Sequence, residues 1–442
     1  MVRIRRGLDL PIPGAADGAV QAAPTIRRAG VLGADYPGLH LRSLVAVGDA
    51  VALGQPILVD RRDPSLRVTA PGSGHVSAIH PGERRTIEAV EIGLGAGEER
   101  RWEPHDPETL ARQPRSAVVS RLCESGLWCA LRARPFGKIP SPATEPDAIF
   151  VTALDTHPLA PPPELAVGEH AENFVHGLTV LTVLTPGAVH LCRGRGSPIS
   201  ARGQPRVREV EFSGPHPAGL AGTHVHHLMR IRAGRSVWTL GYADVIAIGK
   251  LFTTGRLWTE RIVSVAGPGV RQPRHLRARL GASTEDLVGD LLGEGPCRIV
   301  SGSLLAGHTA AGRAAFVGRG HVQVSVLPEP SDDERASWWG VGRHGRARRL
   351  LPWRPRTFAG RGEDAAPGPF LPLPEFERVV PLDLPVLPLL RALVVGDDET
   401  AAALGALELT EEDLALCSFL CPSRIDYGAR LRRVLERLEA QL

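Results

Sequence analysis

The stretch that decides the first part of the fold is Leu44-Val45-Ala46-Val47-Gly48-Asp49-Ala50-Val51, followed by Gly54-Gln55-Pro56-Ile57-Leu58. After a turn at Asp63-Pro64, the pattern resumes as Val68-Thr69-Ala70-Pro71-Gly72-Ser73-Gly74-His75-Val76. Short apolar runs separated by Gly-Asp, Gly-Gln-Pro and Pro-Gly are typical of β-strands joined by tight turns. The pattern therefore predicts a small β-sandwich inside an N-terminal domain that covers residues 1–105.

The order of these strands and turns resembles the flattened barrel-sandwich of biotinyl and lipoyl carrier domains. Such carriers attach their prosthetic group to a lysine at a hairpin tip, but the corresponding stretch, Val59-Asp60-Arg61-Arg62-Asp63-Pro64, contains no lysine. The whole chain has two lysines, Lys138 and Lys250, and both lie outside this module. The resemblance therefore implies the fold of a carrier domain without its function.

Residues 106–255 show a different pattern, in which apolar runs alternate with segments of helical spacing. Ala148 to Leu154 has the composition of a buried strand, and a helix is expected from Glu169 through Leu184. This alternation predicts a Rossmann-like α/β domain. The dinucleotide fingerprint G-x-G-x-x-G is incomplete, because Gly194-Arg195-Gly196 is followed by Ile199 where the third glycine should stand. Nicotinamide binding through this loop is therefore not predicted.

Residues 256–330 form a further strand–helix–strand unit. A strand and turn run from Arg261 to Val270, and Ser283 is a good helix N-cap because an acid, Asp286, stands three residues later. A second strand is expected from Arg298 to Ser303. The unit resembles the soluble ligand-binding β-grasp (SLBB-type) domain.

The last part of the chain divides into a charged segment and a helical one. Residues 331–375 are rich in arginine and turn residues, which predicts a linker or an arm that orders against a partner. Residues 376–442 have helical spacing, and Thr410-Glu411-Glu412-Asp413 is typical of a helix start. The arm carries three tryptophans: Trp338, Trp339 and Trp353.

Composition excludes several classes of protein. The 442 residues carry 52 Lys and Arg against 48 Asp and Glu, a formal net charge of +4, which argues against a dedicated nucleic-acid binder. No apolar stretch has the length expected of a membrane helix, and no signal-peptide pattern follows the basic N-terminus. Six scattered cysteines suit reduced thiols. The expectation is a cytosolic or peripheral protein.

No catalytic centre or metal site is predicted. Gly222-Thr223-His224-Val225-His226-His227 could present alternate histidines on one face of a strand, but no acidic or cysteine partner stands nearby. Cys417 and Cys421-Pro422 resemble the end of a ferredoxin motif that lacks its other thiolates. No Ser/His/Asp arrangement or pair of catalytic carboxylates is evident.

Two loops are open to two interpretations. The segments are Gly33 to Leu39 and Arg134 to Pro140, and each combines rigid turn residues with an aromatic side chain. They are either exposed loops or rigid ligand-facing loops, in which an ammonium group and an aromatic face could meet a quinone head group. The candidate quinone-facing residues are Asp35, Tyr36, Pro37, Phe136, Gly137 and Lys138.

Taken together, several segments resemble one protein family in order along nearly the whole chain. They include Ile4-Arg5-Arg6-Gly7-Leu8-Asp9-Leu10-Pro11-Ile12 and Phe212-Ser213-Gly214-Pro215-His216-Pro217-Ala218-Gly219-Leu220-Ala221-Gly222-Thr223-His224. They also include Leu407-Glu408-Leu409-Thr410-Glu411-Glu412-Asp413-Leu414-Ala415-Leu416-Cys417. The chain resembles the NqrA family, the A subunits of the Na⁺-translocating NADH:quinone reductase. One departure is Cys421-Pro422-Ser423-Arg424-Ile425-Asp426-Tyr427-Gly428, which differs from the family's expected sequence.

The resemblance implies a peripheral subunit on the cytoplasmic side of the bacterial inner membrane. In this family the complex passes electrons from NADH to ubiquinone and exports Na⁺. Its partners are the B to F subunits, of which the membrane-embedded B subunit is the principal one. The resemblance implies no cofactor on this chain, ubiquinone as a possible ligand, and NADH, flavins and iron–sulfur centres on other subunits. The tryptophan-bearing arm is expected to dock on the B subunit. The alternative is an NADH- and flavin-binding redox subunit like those of complex I or Rnf.

Overall fold

The computed structural model describes residues 1–82, 86–231, 234–329 and 368–441. The first part of the chain contains two small sheets, a four-stranded one of order β3-β9-β8-β5 and a three-stranded one of order β4-β6-β7. Ile57, Val90 and Ile92 are completely buried in the core that both sheets share. The strands are β1 Val2–Arg3, β2 Gln21–Ala22, β3 Arg28–Leu32, β4 Leu41–Ser43, β5 Ala50–Val51, β6 Pro56–Asp60, β7 Arg67–Thr69, β8 Gly74–Pro81 and β9 Ile87–Leu94.

The predicted Pro-Gly and Ser-Gly turn has a steric basis at its glycine, Gly74. This residue has φ +150°, and a Cβ atom there would lie 2.0 Å from the carbonyl oxygen of Gly93 on the paired strand β9. Only a residue without a side chain therefore allows β8 to start so close to β9. The turn chemistry read from residues 44–76 is confirmed as two short antiparallel sheets.

The second part of the chain is a six-stranded sheet of order β1-β13-β12-β11-β14-β10, in which every neighbouring pair is parallel except β10 with β14. Helices α3 and α5 cross at Gly177 and Gly249, where Cβ atoms would lie about 2 Å from backbone oxygens of the facing helix. The elements are α1 Arg115–Glu124, β10 Arg132–Arg134, β11 Ala148–Ala153, α2 Pro163–Glu169, α3 Ala171–Val183, β12 Val189–Gly194, β13 Val207–Ser213, α4 Ala221–Leu228, β14 Val237–Gly241 and α5 Tyr242–Thr254.

The third part is a mixed sheet of order β18-β17-β19-β15-β16-β2 with one short helix. The predicted N-cap is confirmed, because the Ser283 hydroxyl accepts a hydrogen bond of 3.3 Å from the backbone N–H of Asp286. The elements are β15 Glu260–Ala266, β16 Arg274–Arg279, α6 Thr284–Val288, β17 Cys297–Ser301, β18 His308–Thr309 and β19 Gln323–Pro328.

The first 22 residues do not stay with the N-terminal barrel. Strand β1 pairs in parallel with β13 at the edge of the α/β sheet, and β2 pairs in parallel with β16 at the edge of the third sheet. The chain's start thus ties the second and third parts together before the barrel begins. The predicted domain of residues 1–105 does not include these pairings, because a strand of two residues is too short to show an alternating pattern in the sequence.

The end of the chain, from residue 375 to residue 439, carries helices around a core that includes Phe376 and Tyr427. Thr410 and Asp413 form a capping box at the start of a 3₁₀ turn, as the motif there predicts. The helices are α7 Glu375–Val379, α8 Val386–Val395, α9 Asp398–Ala403, α10 Ala415–Leu420 and α11 Tyr427–Glu439.

One local prediction is confirmed and one needs correction. The helix expected from Glu169 through Leu184 is α3, which begins two residues later, at Ala171, and ends at Val183. The Gly222 to His227 stretch lies in helix α4 and not in a strand. Its histidines therefore do not alternate across a sheet, and the geometric reason for a shared metal face is lost.

Candidate functional site

The two loops proposed from the sequence lie against each other. The backbone N–H of Ile139 donates to the carbonyl oxygen of Pro37 at 3.2 Å. Gly38 has φ +88°, and a Cβ there would lie 3.0 Å from the side chain of Lys138. Although about 100 residues separate the two loops in sequence, the structure brings them together at one place, below called the loop pair (residues 33–39 and 134–140).

Within the first loop, Asp35 is held by hydrogen bonds from two arginines, and Tyr36 is buried. The Asp35 carboxylate accepts a hydrogen bond of 2.8 Å from the backbone N–H of Arg319, and its carbonyl accepts one of 2.8 Å from Arg132. Burial raises the pKa of the Asp35 carboxyl and also that of the Tyr36 hydroxyl. Tyr36 is 7% exposed, whereas Asp35 and Pro37 are half-buried.

The second loop is held by the C-terminal helices. The Arg432 guanidinium donates to the carbonyl oxygen of Phe136 at 2.6 Å, and Lys138 forms an ion pair with Glu439 at the end of α11. Phe136 has φ +80°, an uncommon conformation for a residue with a Cβ. The next residue, Gly137, has φ +64°. The Lys138 ammonium, predicted as a quinone donor, thus already has a carboxylate partner.

A buried ion pair fixes the strand that leads into this loop. Arg134 and Asp413 are 3.2 Å apart, and their side chains are 6% and 3% exposed. Arg134 also donates to the Thr410 hydroxyl at 2.9 Å and to the Glu408 carbonyl at 3.0 Å. The Thr410 and Asp413 side chains that form the capping box therefore also hold Arg134, the last residue of β10.

The carboxyl edge of the parallel sheet is the second place where functional groups converge. After β11, the chain adds β12 and β13 on one side of that strand and then β14 on its other side. Ligands of open α/β sheets bind in the crevice at such a switch in strand order, which here lies between β11 and β14. Here Asp244, in the first turn of α5, accepts hydrogen bonds from Arg261 at 2.9 Å and from Arg319 at 3.2 Å. We call these three residues the Asp244 cluster.

The Asp244 cluster is closed to solvent. Arg261 and Arg319 are 3% and 7% exposed, and both come from the third part of the chain. Burial by itself raises the pKa of Asp244, but the two guanidinium groups outweigh it and hold that pKa below its usual value. Side chains of the third part of the chain, one from strand β15 and one from the loop before β19, therefore already occupy the crevice edge at α5.

The loop after β11 carries a charged histidine. His157 Nδ1 lies 2.8 Å from the Asp155 carboxylate. Burial by itself lowers the pKa of His157, but the charge and hydrogen bond of Asp155 outweigh it and raise the pKa to about 9. Nearby, burial lowers the pKa of His216 to about 3 and raises the pKa of the Glu412 carboxyl. His157 is therefore a cation at neutral pH, while His216 is neutral.

Sequence reasoning missed most of these partners. Arg132, Arg261 and Arg319 have no recognisable motif, and they come from separate parts of the chain. The only local signal is Gly241-Tyr242-Ala243-Asp244, which contains Asp244 but whose glycine spacing does not fit a phosphate loop. Because the cluster exists only after three segments meet, no spacing in the sequence encodes it.

The two carboxylates of the candidate metal-ligand group are paired with an arginine. Glu169, His170 and Glu260 offer ligand atoms within 4.8 Å of one another, but Arg277 donates to Glu169 at 2.8 Å and to Glu260 at 2.7 Å. In α4, His226 pairs with Glu408 at 2.8 Å, an acidic partner that lies far away in sequence.

Some predictions fall outside the described residues. Trp338, Trp339 and Trp353 lie in the segment 330–367, to which the structure assigns no described position. Among the helices in the described ranges, none combines the length and the apolar character needed to cross a membrane.

Three family models match the chain in sequence order. The model described as the NqrA N-terminal barrel-sandwich hybrid domain matches residues 2–95, and the NqrA second alpha/beta domain matches residues 113–257. The SLBB-type NQRA C-terminal domain matches residues 262–312. These matches identify the barrel-sandwich, the α/β domain and the SLBB-like domain. Among solved structures, an NAD⁺-reducing [NiFe]-hydrogenase in the H₂-reduced state aligns with 75% of this chain and 62% of its own, at 14% identity and a TM-score of 0.42.

Curated relatives match from end to end. The A subunit of the Na(+)-translocating NADH-quinone reductase from Pseudomonas aeruginosa is 46% identical, with 100% of both chains covered. Proteins of the same name from Yersinia pestis and Neisseria gonorrhoeae are 44% and 42% identical, again with 100% of both chains covered. This chain therefore belongs to the NqrA family, the A subunits of the Na⁺-translocating NADH-quinone reductase.

Proposed function

We propose that this chain is the peripheral A subunit of a Na⁺-translocating NADH:ubiquinone reductase. In that role it supports electron transfer from NADH to ubiquinone, coupled to Na⁺ export, on the cytoplasmic side of the bacterial inner membrane. The observation that carries the proposal is identity of 42–46% over the full length of relatives with this name. Because the alignments cover 100% of both chains, the similarity is not confined to one shared domain.

The test is assembly and activity in a host that lacks its own NqrA protein. We expect a tagged copy of this chain to co-purify with the B to F subunits and to restore Na⁺-stimulated NADH:ubiquinone reduction in membranes. Purification of the chain alone, with no recovery of activity from these membranes, would contradict the proposal. A host that expresses the chain without the tag controls for interference by the tag.

We propose further that no cofactor resides on this chain, so that NADH, flavins and iron–sulfur centres belong to other subunits. The Asp244 cluster supports this, because paired and buried side chains already occupy the sheet edge where a dinucleotide would need open helix N–H groups. The alternative, a redox subunit that binds NADH and flavin, predicts a coloured protein that binds NADH. Absorbance and NADH titration of the purified chain distinguish the two.

The loop pair is the proposed quinone-facing surface. Its support is proximity, since Pro37, Phe136 and Lys138 belong to two loops that touch. A quinone carbonyl at Lys138 would compete with Glu439 for the ammonium group. Lys138→Gln should therefore weaken binding of a short-chain ubiquinone, whereas Glu439→Gln should leave it unchanged or strengthen it. Titration followed by tryptophan fluorescence measures both, and equal effects in the two variants would count against a quinone at Lys138.

The arm with Trp338, Trp339 and Trp353 is the proposed docking element for the membrane-embedded B subunit, because Trp and Arg are enriched at interfaces. Replacement of Trp338 and Trp339 together by Ala should release the chain from the purified complex. Retention of the chain at the wild-type ratio would contradict this role.

The proposed domain organisation has a Rossmann-like second domain and a helical C-terminal domain. The proposed limits of the five segments are 1–105, 106–255, 256–330, 331–375 and 376–442.

A further inference from the structure

A cleft separates the N-terminal barrel from the third sheet. Its volume is about 370 Å³, within the range of small-molecule sites. The barrel contributes Ser73, Leu94 and Gly95, while β16 contributes Arg277 and Arg279. Ala23 and Ile26, which precede β3, give one side of the cleft an apolar character. None of these residues belongs to the loop pair or to the Asp244 cluster.

The two arginines of the cleft differ in how their charges are neutralised. Arg277 donates to both carboxylate oxygens of Glu169, at 2.8 and 2.9 Å, and to Glu260 at 2.7 Å. These hydrogen bonds raise the pKa of Arg277. Arg277 therefore has its full complement of anionic partners inside the protein.

Arg279, two residues further along the same strand, has no such partner among the described residues. Its guanidinium makes one long hydrogen bond of 3.4 Å, to the carbonyl oxygen of Pro71, and no ion pair with a carboxylate of the described residues. Burial lowers the pKa of Arg279, and no acidic group in the part of the chain that the structure describes opposes that effect. A partly buried guanidinium with most of its donors unused faces the cleft.

The barrel leaves room for this guanidinium. A Cβ at Gly72 would lie 2.2 Å from Arg279 Nη1, so the guanidinium in its present position lies against the bare Cα of this glycine. Gly95 lines the same cleft and is exposed, and among the described residues no atom would lie within 4 Å of a Cβ placed there, so a larger side chain has room at this position. The cleft therefore has a cationic group, Arg279, and unfilled volume in the same place.

We propose that this cleft binds a small organic monocarboxylate, whose carboxylate pairs with Arg279 and whose short alkyl chain lies along Ala23, Ile26 and Leu94. A planar guanidinium matches a carboxylate with two parallel hydrogen bonds. One uncompensated cation matches one negative charge, and the apolar side suits a hydrocarbon tail better than a phosphate. The inference is independent of the proposed quinone surface.

Butyrate is the probe, measured on the purified full-length chain by saturation-transfer-difference NMR at constant ionic strength. We expect a saturable signal in the wild type and at least a tenfold weaker affinity in Arg279→Gln, which removes the charge. Gly95→Leu should weaken binding as much, because its side chain fills the open space while Arg279 stays in place. Arg271→Gln, which removes an exposed arginine outside the cleft, is the matched control and should bind butyrate like the wild type.

Four results would overturn the inference. Three concern butyrate alone: the absence of saturable binding to the wild type, an unchanged affinity in both cleft variants, and an equal loss in the Arg271→Gln control. Inorganic phosphate should displace butyrate poorly; if it displaces butyrate as well as acetate does, the site does not select monocarboxylates. Circular dichroism of each variant checks that the fold is retained.

Discussion

The Asp244 cluster and the Lys138–Glu439 pair of the loop pair both join distant parts of the chain through charged groups, but they differ in burial. Arg261 and Arg319 are less than a tenth exposed, whereas the Lys138 and Glu439 side chains are 27% and 36% exposed. Water can replace a partner in the exposed pair, but a buried charge that loses its partner has nothing to replace it. The cluster is therefore a structural junction, whereas the Lys138–Glu439 pair is exposed enough to exchange partners, as the proposed quinone-facing surface requires.

The largest effect is expected from Asp244→Asn, which leaves two buried guanidinium groups without a counter-ion. Breaking a buried ion pair from one side costs about 3–5 kcal/mol. We expect a loss of this size in the free energy of unfolding, measured by denaturant titration of the full chain. Asp398→Asn is the matched control, because its pair with Arg437 is exposed and such pairs contribute about 0–1 kcal/mol. A loss below about 1 kcal/mol in Asp244→Asn would mean that the arginines are not held by this carboxylate.

The second effect concerns pH at His157. Its pKa in the folded protein is about 9, above the ordinary value of 6.5, so the stabilisation from its pair with Asp155 is complete below about pH 6.5 and is lost as pH rises through 9. The shift corresponds to about 3 kcal/mol. We expect His157→Gln to destabilise the chain at pH 6.5 and to lose most of that effect above pH 9.5, as denaturant titrations at both pH values would report. An equal difference from wild type at both pH values would mean that His157 is not a cation in the folded state.

The smallest effect is expected at the Lys138–Glu439 pair. Since both side chains are partly exposed, Lys138→Gln and Glu439→Gln should each change the free energy of unfolding by less than about 1 kcal/mol. A double-mutant cycle with both substitutions isolates the coupling between the two charges. A coupling energy above about 2 kcal/mol would mean that Lys138 and Glu439 form a fixed structural ion pair, like those of the Asp244 cluster. In that case Lys138 would not be free to bind a ligand in place of Glu439.

The sequence was informative wherever structure is local. The Gly48-Asp49 and Pro71-Gly72 turns predicted the barrel strands, because such turns depend on the conformations open to two or three residues. Ser283 and the Thr410 motif predicted their caps for the same reason. The error at His224, placed in a strand but found in α4, arose in a stretch too short for its periodicity to separate helix from strand.

The candidate site was only partly predictable. The sequence identified the loops around Asp35 and Lys138, but it contained no sign that they touch or that Glu439 already pairs with Lys138. It also contained no sign of Arg319, which donates to Asp244 and whose backbone holds Asp35. These contacts join residues from 75 to 301 positions apart, and only packing of the separate sheets creates them.

By itself, the sequence determined the family, the barrel turns, the buried strand at residues 148–153 and the lack of a carrier lysine in the barrel, since each depends on residue types at short spacing. The tertiary structure decided which charges are paired. Arg277 and Arg279 are the same residue type on one strand, yet one is neutralised by two carboxylates and the other faces a cleft. Burial and ion pairing depend on which distant segments lie beside a side chain, and that is fixed only when the sheets pack.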